Sequence, residues 1–201
     1  RAVYVPAALV IDEIKAFPAK QPIDYFTFSG VGEPTLAKNL GEMIKALRAL
    51  KKGKIAVITN SALMDQNDVQ ADLALADFVL AKIDACDQAS FEKINRPAPG
   101  ICFDNIIAGI KKFRSLYKGK LALQLMFMDA NRDVATRVAD LVRPIGADEI
   151  EINTPLRPCA VAPLSASELA DIKKYFTGLP ARTVYERERK IIDAVNPTET
   201  V

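Results

Sequence analysis

Short runs rich in β-branched and aromatic residues alternate with longer stretches of helical periodicity along the chain, and this alternation constrains the fold more than any other feature. Residues 24–29, 54–60, 78–84, 120–128 and 148–153 read as strands, and runs such as KIAVITN carry apolar residues on both faces. A strand apolar on both faces belongs in a parallel sheet covered by helices. Right-handed crossovers then leave two architectures, an open doubly wound sheet or a barrel. In either case ligands sit at the carboxyl ends of the strands. Those ends are polar here: Gly30 to Glu33, Thr59 and Asn60, Lys82 and Asp84, Met128 and Asp129, Asn153 and Thr154.

The intervening segments have the spacing of amphipathic helices. Pro6 with Leu9, Val10, Ile14 and Phe17 reads as a helix opened by proline and closed by Pro18 and Pro22. A helix on Leu40, Met43, Ile44, Leu47 and Leu50 follows Pro34 and ends at Gly53. Shorter helices are expected at 67–76 and around 90–94, the latter followed by the rigid connector RPAPG. Further helices rest on Phe103, Ile106, Ile107, Ile110 and Phe113, and on Val134, Val138, Leu141 and Val142. Ser165 and Glu168 predict a capping box for a helix carrying Leu169, Ile172 and Phe176. Residues 182–185 read as a weaker sixth strand, and the tail from Pro197 as loose.

At 201 residues, half of them hydrophobic, the chain is read as one α/β domain spanning 1–201. Its 27 Lys and Arg nearly balance its 25 Asp and Glu and are dispersed, so no nucleic-acid or membrane face is indicated. No apolar run approaches the roughly 18 residues of a membrane span and no secretion signal is evident, which points to the cytoplasm. Cys86, Cys102 and Cys159 are odd in number and far apart, the pattern of reduced thiols. Histidine is absent, which removes histidine-based triads and most zinc sites. Because the first residue is Arg1, the chain is read as a piece of a larger protein.

Within DYFTFSGVGEPTL, a strand passes into a turn with Gly30 and Gly32 on either side of Val31. Glycine is needed where φ is positive or where a ligand approaches the backbone closely, so the amides and carbonyls of this turn are expected to be accessible. Glu33 projects from it and Pro34 redirects the chain. SGVGEPTL resembles the Gly-Gly-Glu motif of the radical S-adenosylmethionine (radical SAM) superfamily, in the form found in uncharacterised iron–sulfur oxidoreductases, and the element order agrees from Val5 to about Pro158. The resemblance implies a partial (β/α)6 TIM-like barrel, predominantly parallel. It also implies that the first strand and the C-x-x-x-C-x-x-C loop holding a 4Fe–4S cluster lie upstream of Arg1, because the chain contains no such spacing. The implied activity is reductive cleavage of S-adenosylmethionine to a 5′-deoxyadenosyl radical that acts on an unknown substrate, with flavodoxin or ferredoxin as electron donor.

By the same resemblance Glu33, with Gly30 and Gly32, would meet the methionine ammonium, and Lys82 and Asp84 the ribose and carboxylate, with Asn60 ending the neighbouring strand. Gln124 is the one strongly polar residue in LALQLMFM, and Asn153 shares a face with Glu151; both are counted among the cofactor-binding residues. No metal ligand and no catalytic residue is assigned. INTPLRP resembles a stretch after the family's last core strand, which would let Arg157 reach a substrate carboxylate or phosphate. The structural alternatives are a helix-start acid for Glu33, a strand-end ion pair for Lys82 and Asp84, a turn cap for Asn60, small semi-buried thiols for the cysteines and a solvated loop residue for Arg157. Two rival functions stand beside this reading. One is a non-redox barrel lyase or aldolase with Lys82 as Schiff base and Asp84 as its acid–base partner. The other is a binding scaffold without catalysis.

Overall fold

The computed structural model describes residues 1–16 and 23–186. Its strands are β1 (Tyr25–Phe28), β2 (Lys54–Thr59), β3 (Phe78–Lys82), β4 (Lys120–Met126), β5 (Glu149–Asn153) and β6 (Ala181–Thr183). They pair in sequence order, every pair parallel. A doubly wound sheet reverses its order at a switch point, and no reversal occurs. Each crossover advances one strand in the same direction, so right-handedness puts all the helices on one face, as in an incomplete barrel. Among the described residues no strand pairs with the outer edge of β1 or of β6.

The helices are α1 (Ala7–Ala16), α2 (Leu40–Ala49), α3 (Asn67–Leu73), α4 (Gln88–Asn95), α5 (Phe103–Leu116), α6 (Ala135–Val142) and α7 (Ala166–Lys173). Their apolar faces join Ile55, Val57, Val79, Leu121, Leu123, Leu125 and Ile150 in one continuous core on the outer side of the sheet. The alternate residues of the strands face inward. On that inner face Ala56, Leu80 and Ala122 are also buried, yet they lie outside the helix-packed core. Its amino-terminal floor is a chain of cations and rings. Lys54 lies 6.0 Å from the Tyr25 ring centroid, Tyr25 stacks at a tilt on Phe78 at 5.8 Å, and Lys120 sits 5.5 Å from Phe78 while pairing with buried Glu149 at 2.6 Å.

After Pro34 the chain makes a 3-10 turn (Pro34–Leu36), Ala37 pairs with Ala2, and α2 begins at Leu40, the first residue of the expected helical spacing. Two strands end sooner than expected. β3 stops at Lys82, and the chain after Thr183 leaves the sheet in another 3-10 turn, Val184–Glu186. Ser165 and Glu168 form the expected capping box, and a second box, Asp87 with Ser90, opens α4. Phe17, Pro18, Pro22 and the tail from Pro197 lie outside the described residues.

Candidate functional site

The polar strand ends are tied together by side chains. Glu33 turns back over the 3-10 turn it caps, where its Oε1 accepts from the Thr35 N–H (3.1 Å), the Thr35 hydroxyl (2.7 Å) and the Thr59 hydroxyl (2.6 Å). Its Oε2 accepts from the Asn60 N–H at 2.7 Å. Thr59 Oγ1 in turn accepts from the Ser61 N–H, and the Ser61 hydroxyl donates to the Lys82 carbonyl at 3.0 Å, which continues the link to β3. Asn60 Oδ1 accepts from the Ala62 N–H at 2.9 Å, the expected turn cap. Glu33 is thus a helix-start acid and also a brace between β1 and β2. A carboxylate has about four acceptor positions, so Oε2, with one donor, retains capacity for another.

Gly30 and Gly32 separate the two reasons that the sequence left open for glycine. Neither has a positive φ, so the turn does not need glycine for its backbone conformation. A Cβ on Gly32 would meet nothing within 4 Å, and one on Gly30 only the Gly32 nitrogen at 3.9 Å. Among the described residues nothing requires glycine there. What the missing side chains leave is access to the backbone from outside, the second of the two reasons for glycine.

The eight sequence-predicted residues divide into groups rather than gathering in one cavity. Glu33 and Asn60 wall a cavity of about 290 Å³ whose opposite side is Phe91, Asn95, Arg96 and Pro97. On the other side of the glycine turn, Gly30 and Gly32 border a groove of about 440 Å³ with Tyr4, Val5, Phe28 and Met43. A cavity of about 610 Å³ lies at the opposite ends of β1 and β2, by Tyr25 and Lys54, away from the polar strand ends. Asp84 is buried beneath the rim, where Oδ1 accepts from the Met126 N–H and Oδ2 from Asn95 Nδ2, both at 2.9 Å. Burial pushes its carboxyl up from the ordinary range, and the Lys82 charge and these hydrogen bonds offset that only in part. Lys82 and Gln124 stand side by side on the inner face, in a row that continues to Glu151 and Arg182. Gln124 Nε2 donates to Glu151 Oε2 at 3.4 Å, and Asn153 is the neighbour of Met126 one row further out.

The sequence reading overlooked several residues that hold this end of the sheet. Asn131 is buried and donates from one amide to the carbonyls of Asp84 (3.0 Å) and Met126 (2.9 Å). Asn95 is likewise bound to Asp84, a partner that sequence spacing does not reveal, whereas Thr35 binds Glu33 two residues before it. Cys86 is half-buried, Cys102 and Cys159 are exposed, and among the described residues no three Cys, His, Asp or Glu side chains converge as a metal site.

A parallel incomplete barrel with an open glycine–glutamate turn after its edge strand is the arrangement of the radical SAM core domain. The family model of the Radical SAM superfamily matches residues 1–140, and the chain belongs to that superfamily. It is 35% identical over 159 residues to a UPF0026 protein of Synechocystis sp., covering 79% of this chain and 60% of that protein. The chain therefore spans less than two thirds of that relative's length, and it covers 44% of a UPF0026 protein of Methanocaldococcus jannaschii at 35% identity over 141 residues and 69% of this chain. Its fold is similar to TYW1 solved with a lysine-pyruvate adduct bound (TM-score 0.70, 17% identity, 86% of this chain and 63% of that one). It is also similar to Streptococcus suis SuiB bound to S-adenosylmethionine (TM-score 0.68, 16% identity, 89% of this chain and 43% of that one).

Enzymes of this superfamily use S-adenosylmethionine and a 4Fe–4S cluster, and they require a substrate and a reductant. The described residues fit one half of that pair. The open backbone at Gly30 and Gly32 and the remaining acceptor of Glu33 suit an amino-acid moiety, whereas no set of thiolates here suits a cluster. No helix among the described residues is long and apolar enough to cross a membrane.

Proposed function

We propose that this chain is the cofactor-holding domain of a longer radical SAM enzyme in the cytoplasm, and that its glycine turn receives the methionine end of S-adenosylmethionine. The observation that carries the reading is the turn itself, where two glycines leave open space that neither conformation nor packing requires. Glu33 holds the turn against β2 through Thr59 and Asn60, and its Oε2 takes the ligand ammonium by a charge-assisted hydrogen bond. Asn60 forms the adjoining wall. Asp84 is a positioning residue that holds the end of β3 against β4. The cofactor, when bound, supplies a 5′-deoxyadenosyl radical for hydrogen abstraction, and flavodoxin or ferredoxin is the class of electron donor. The cluster thiolates come from residues outside these 201, which accords with the greater length of the relatives. Calorimetry of S-adenosylmethionine binding to the full-length gene product tests the reading. Glu33→Gln, which keeps one oxygen acceptor, is expected to weaken binding by roughly tenfold, and unchanged affinity would refute the role of Glu33.

A further inference from the structure

At the amino-terminal ends of the strands, away from the glycine turn, the acids are committed to holding the fold. Asp77 Oδ2 accepts from the Ile55 N–H at 2.8 Å, and its Oδ1 from both terminal nitrogens of Arg48 at 3.1 Å. Two strands further on, Asp148 repeats the device with the Leu121 N–H at 2.8 Å and Arg114 at 3.0 Å. Glu149 is shared by Lys120 and Arg182, and Asp24 has a partner of its own. Cations are left over. Lys51, Lys54 and Lys118 are exposed, and their ammonium groups make no hydrogen bond or ion pair with any described residue. Lys51 and Lys54 line the groove of about 610 Å³ together with Tyr25, which is 39% exposed. Phe78, 5.8 Å away, holds the Tyr25 ring in place, and the Lys54 ammonium lies 6.0 Å from its centroid. Lys118 stands just before β4, which at about 4.8 Å per strand begins roughly 10 Å from β2. The surplus charge therefore runs along the strand starts. Lys51 also follows the end of α2 with a φ of 51°, the left-handed conformation in which glycine is the stable choice. A lysine standing where glycine would fold better is a feature that folding does not account for.

We propose that this end of the barrel binds single-stranded nucleic acid, with phosphates along Lys51, Lys54 and Lys118 and a base stacked on Tyr25. The lysines alone would suit any polyanion. The exposed ring in the same groove selects among them, because bases stack on aromatic faces whereas an acidic protein or an anionic membrane gains little from one. Cations dispersed along the sequence are brought to one end only by the parallel fold, which starts every strand on that side. The surface lies at the opposite end from the glycine turn, so it anchors a strand without sharing groups with the cofactor site, and the inference does not depend on the S-adenosylmethionine reading.

The test is fluorescence anisotropy of a labelled mixed-sequence RNA of about 12 nucleotides, titrated with the full-length gene product from about 50 to 200 mM salt. Saturable binding is expected, with an affinity that falls about a hundredfold per tenfold rise in salt, at about 0.7 logarithmic units for each of three phosphate contacts. Lys51→Gly removes a charge and relieves the left-handed φ, so it should weaken the RNA roughly fivefold while Tm stays equal or rises. Lys51→Gly combined with Lys54→Gln should flatten the salt dependence to less than about tenfold per decade. Tyr25→Leu keeps an apolar contact for Phe78 and should weaken binding by about fivefold or more through lost stacking. Lys111→Gln, which removes an exposed charge from the middle of α5, should change nothing. No binding, binding insensitive to salt, or a double lysine variant that binds like wild type would overturn the proposal. So would polyglutamate or phosphatidylserine vesicles that bind as tightly as the RNA and respond to the lysine variants but not to Tyr25→Leu, since the surface would then serve an acidic protein or a membrane. S-adenosylmethionine affinity, measured by calorimetry on the same variants, should stay within about twofold of wild type, and a parallel loss of both ligands would equally overturn a separate site.

Discussion

The Thr59 hydroxyl donates to Glu33 Oε1 at 2.6 Å and so joins the glycine turn after β1 to the last residue of β2. With the Thr35 and Asn60 donors, four hydrogen bonds converge on that carboxylate. Glu33→Ala leaves these donors without their acceptor, and a loss of about 2–3 kcal/mol is expected, seen as a fall in Tm of about 5–10 °C. Thr59→Val removes one of the four and also leaves the buried Ser61 N–H without its acceptor, so it should cost about 1–3 kcal/mol. A Tm for Glu33→Ala equal to wild type would show that the brace contributes nothing.

Asp84 gives the fold a pH dependence opposite to that of an ion-paired acid. Its folded carboxyl lies above its ordinary 3.8 because of burial, so the folded state holds the proton more tightly than the unfolded chain. The contribution of the neutral group is fully present below the unfolded value and is lost as pH rises through the folded one. Asp84→Asn removes that titration. Its stability relative to wild type should increase as pH rises from about 3 towards neutrality, measured by urea unfolding across that range. Asp84→Ala, which leaves the Met126 N–H unsatisfied, should instead lose about 1–3 kcal/mol. A constant difference between Asp84→Asn and wild type would contradict the burial argument.

Gly109 lies within α5, where alanine would raise helix propensity by about 1 kcal/mol. Its added Cβ would stand 2.6 Å from the Met64 carbonyl and the Asp65 nitrogen, which are backbone atoms that cannot swing aside. Gly109 O also accepts from buried Gln70 Nε2 at 3.3 Å. Steric conflict outweighs propensity, and Gly109→Ala is expected to destabilise by about 2 kcal/mol or more, with a lowered urea midpoint as the readout. A stabilised variant would mean that α5 can lift from the 61–65 turn at no cost.

Burial on both strand faces and polarity at the strand ends were enough to read a parallel sheet and the side of it that matters. Periodicity says nothing about which strands adjoin, so barrel and open sheet were separated by the motif SGVGEPTL and then by the strand order itself. Gly30, Gly32 and Glu33 were identifiable because glycine and a lone acid interrupt a strand-to-helix passage. The reason for the glycines was legible only in three dimensions, since φ and open space are not sequence properties. Asp84 could be recognised as a polar residue at a strand end, but its partners, Asn95 and Met126, are 11 and 42 positions away.

The central claim is that the open glycine turn receives S-adenosylmethionine, and Gly32→Ala separates that role from folding. A Cβ at Gly32 meets nothing and its φ is not positive, so stability should be unchanged or rise by up to about 1 kcal/mol. S-adenosylmethionine affinity of the full-length, cluster-loaded gene product, measured by calorimetry, should fall by roughly tenfold or more. Equal affinity for wild type and Gly32→Ala, at equal Tm, would contradict the account.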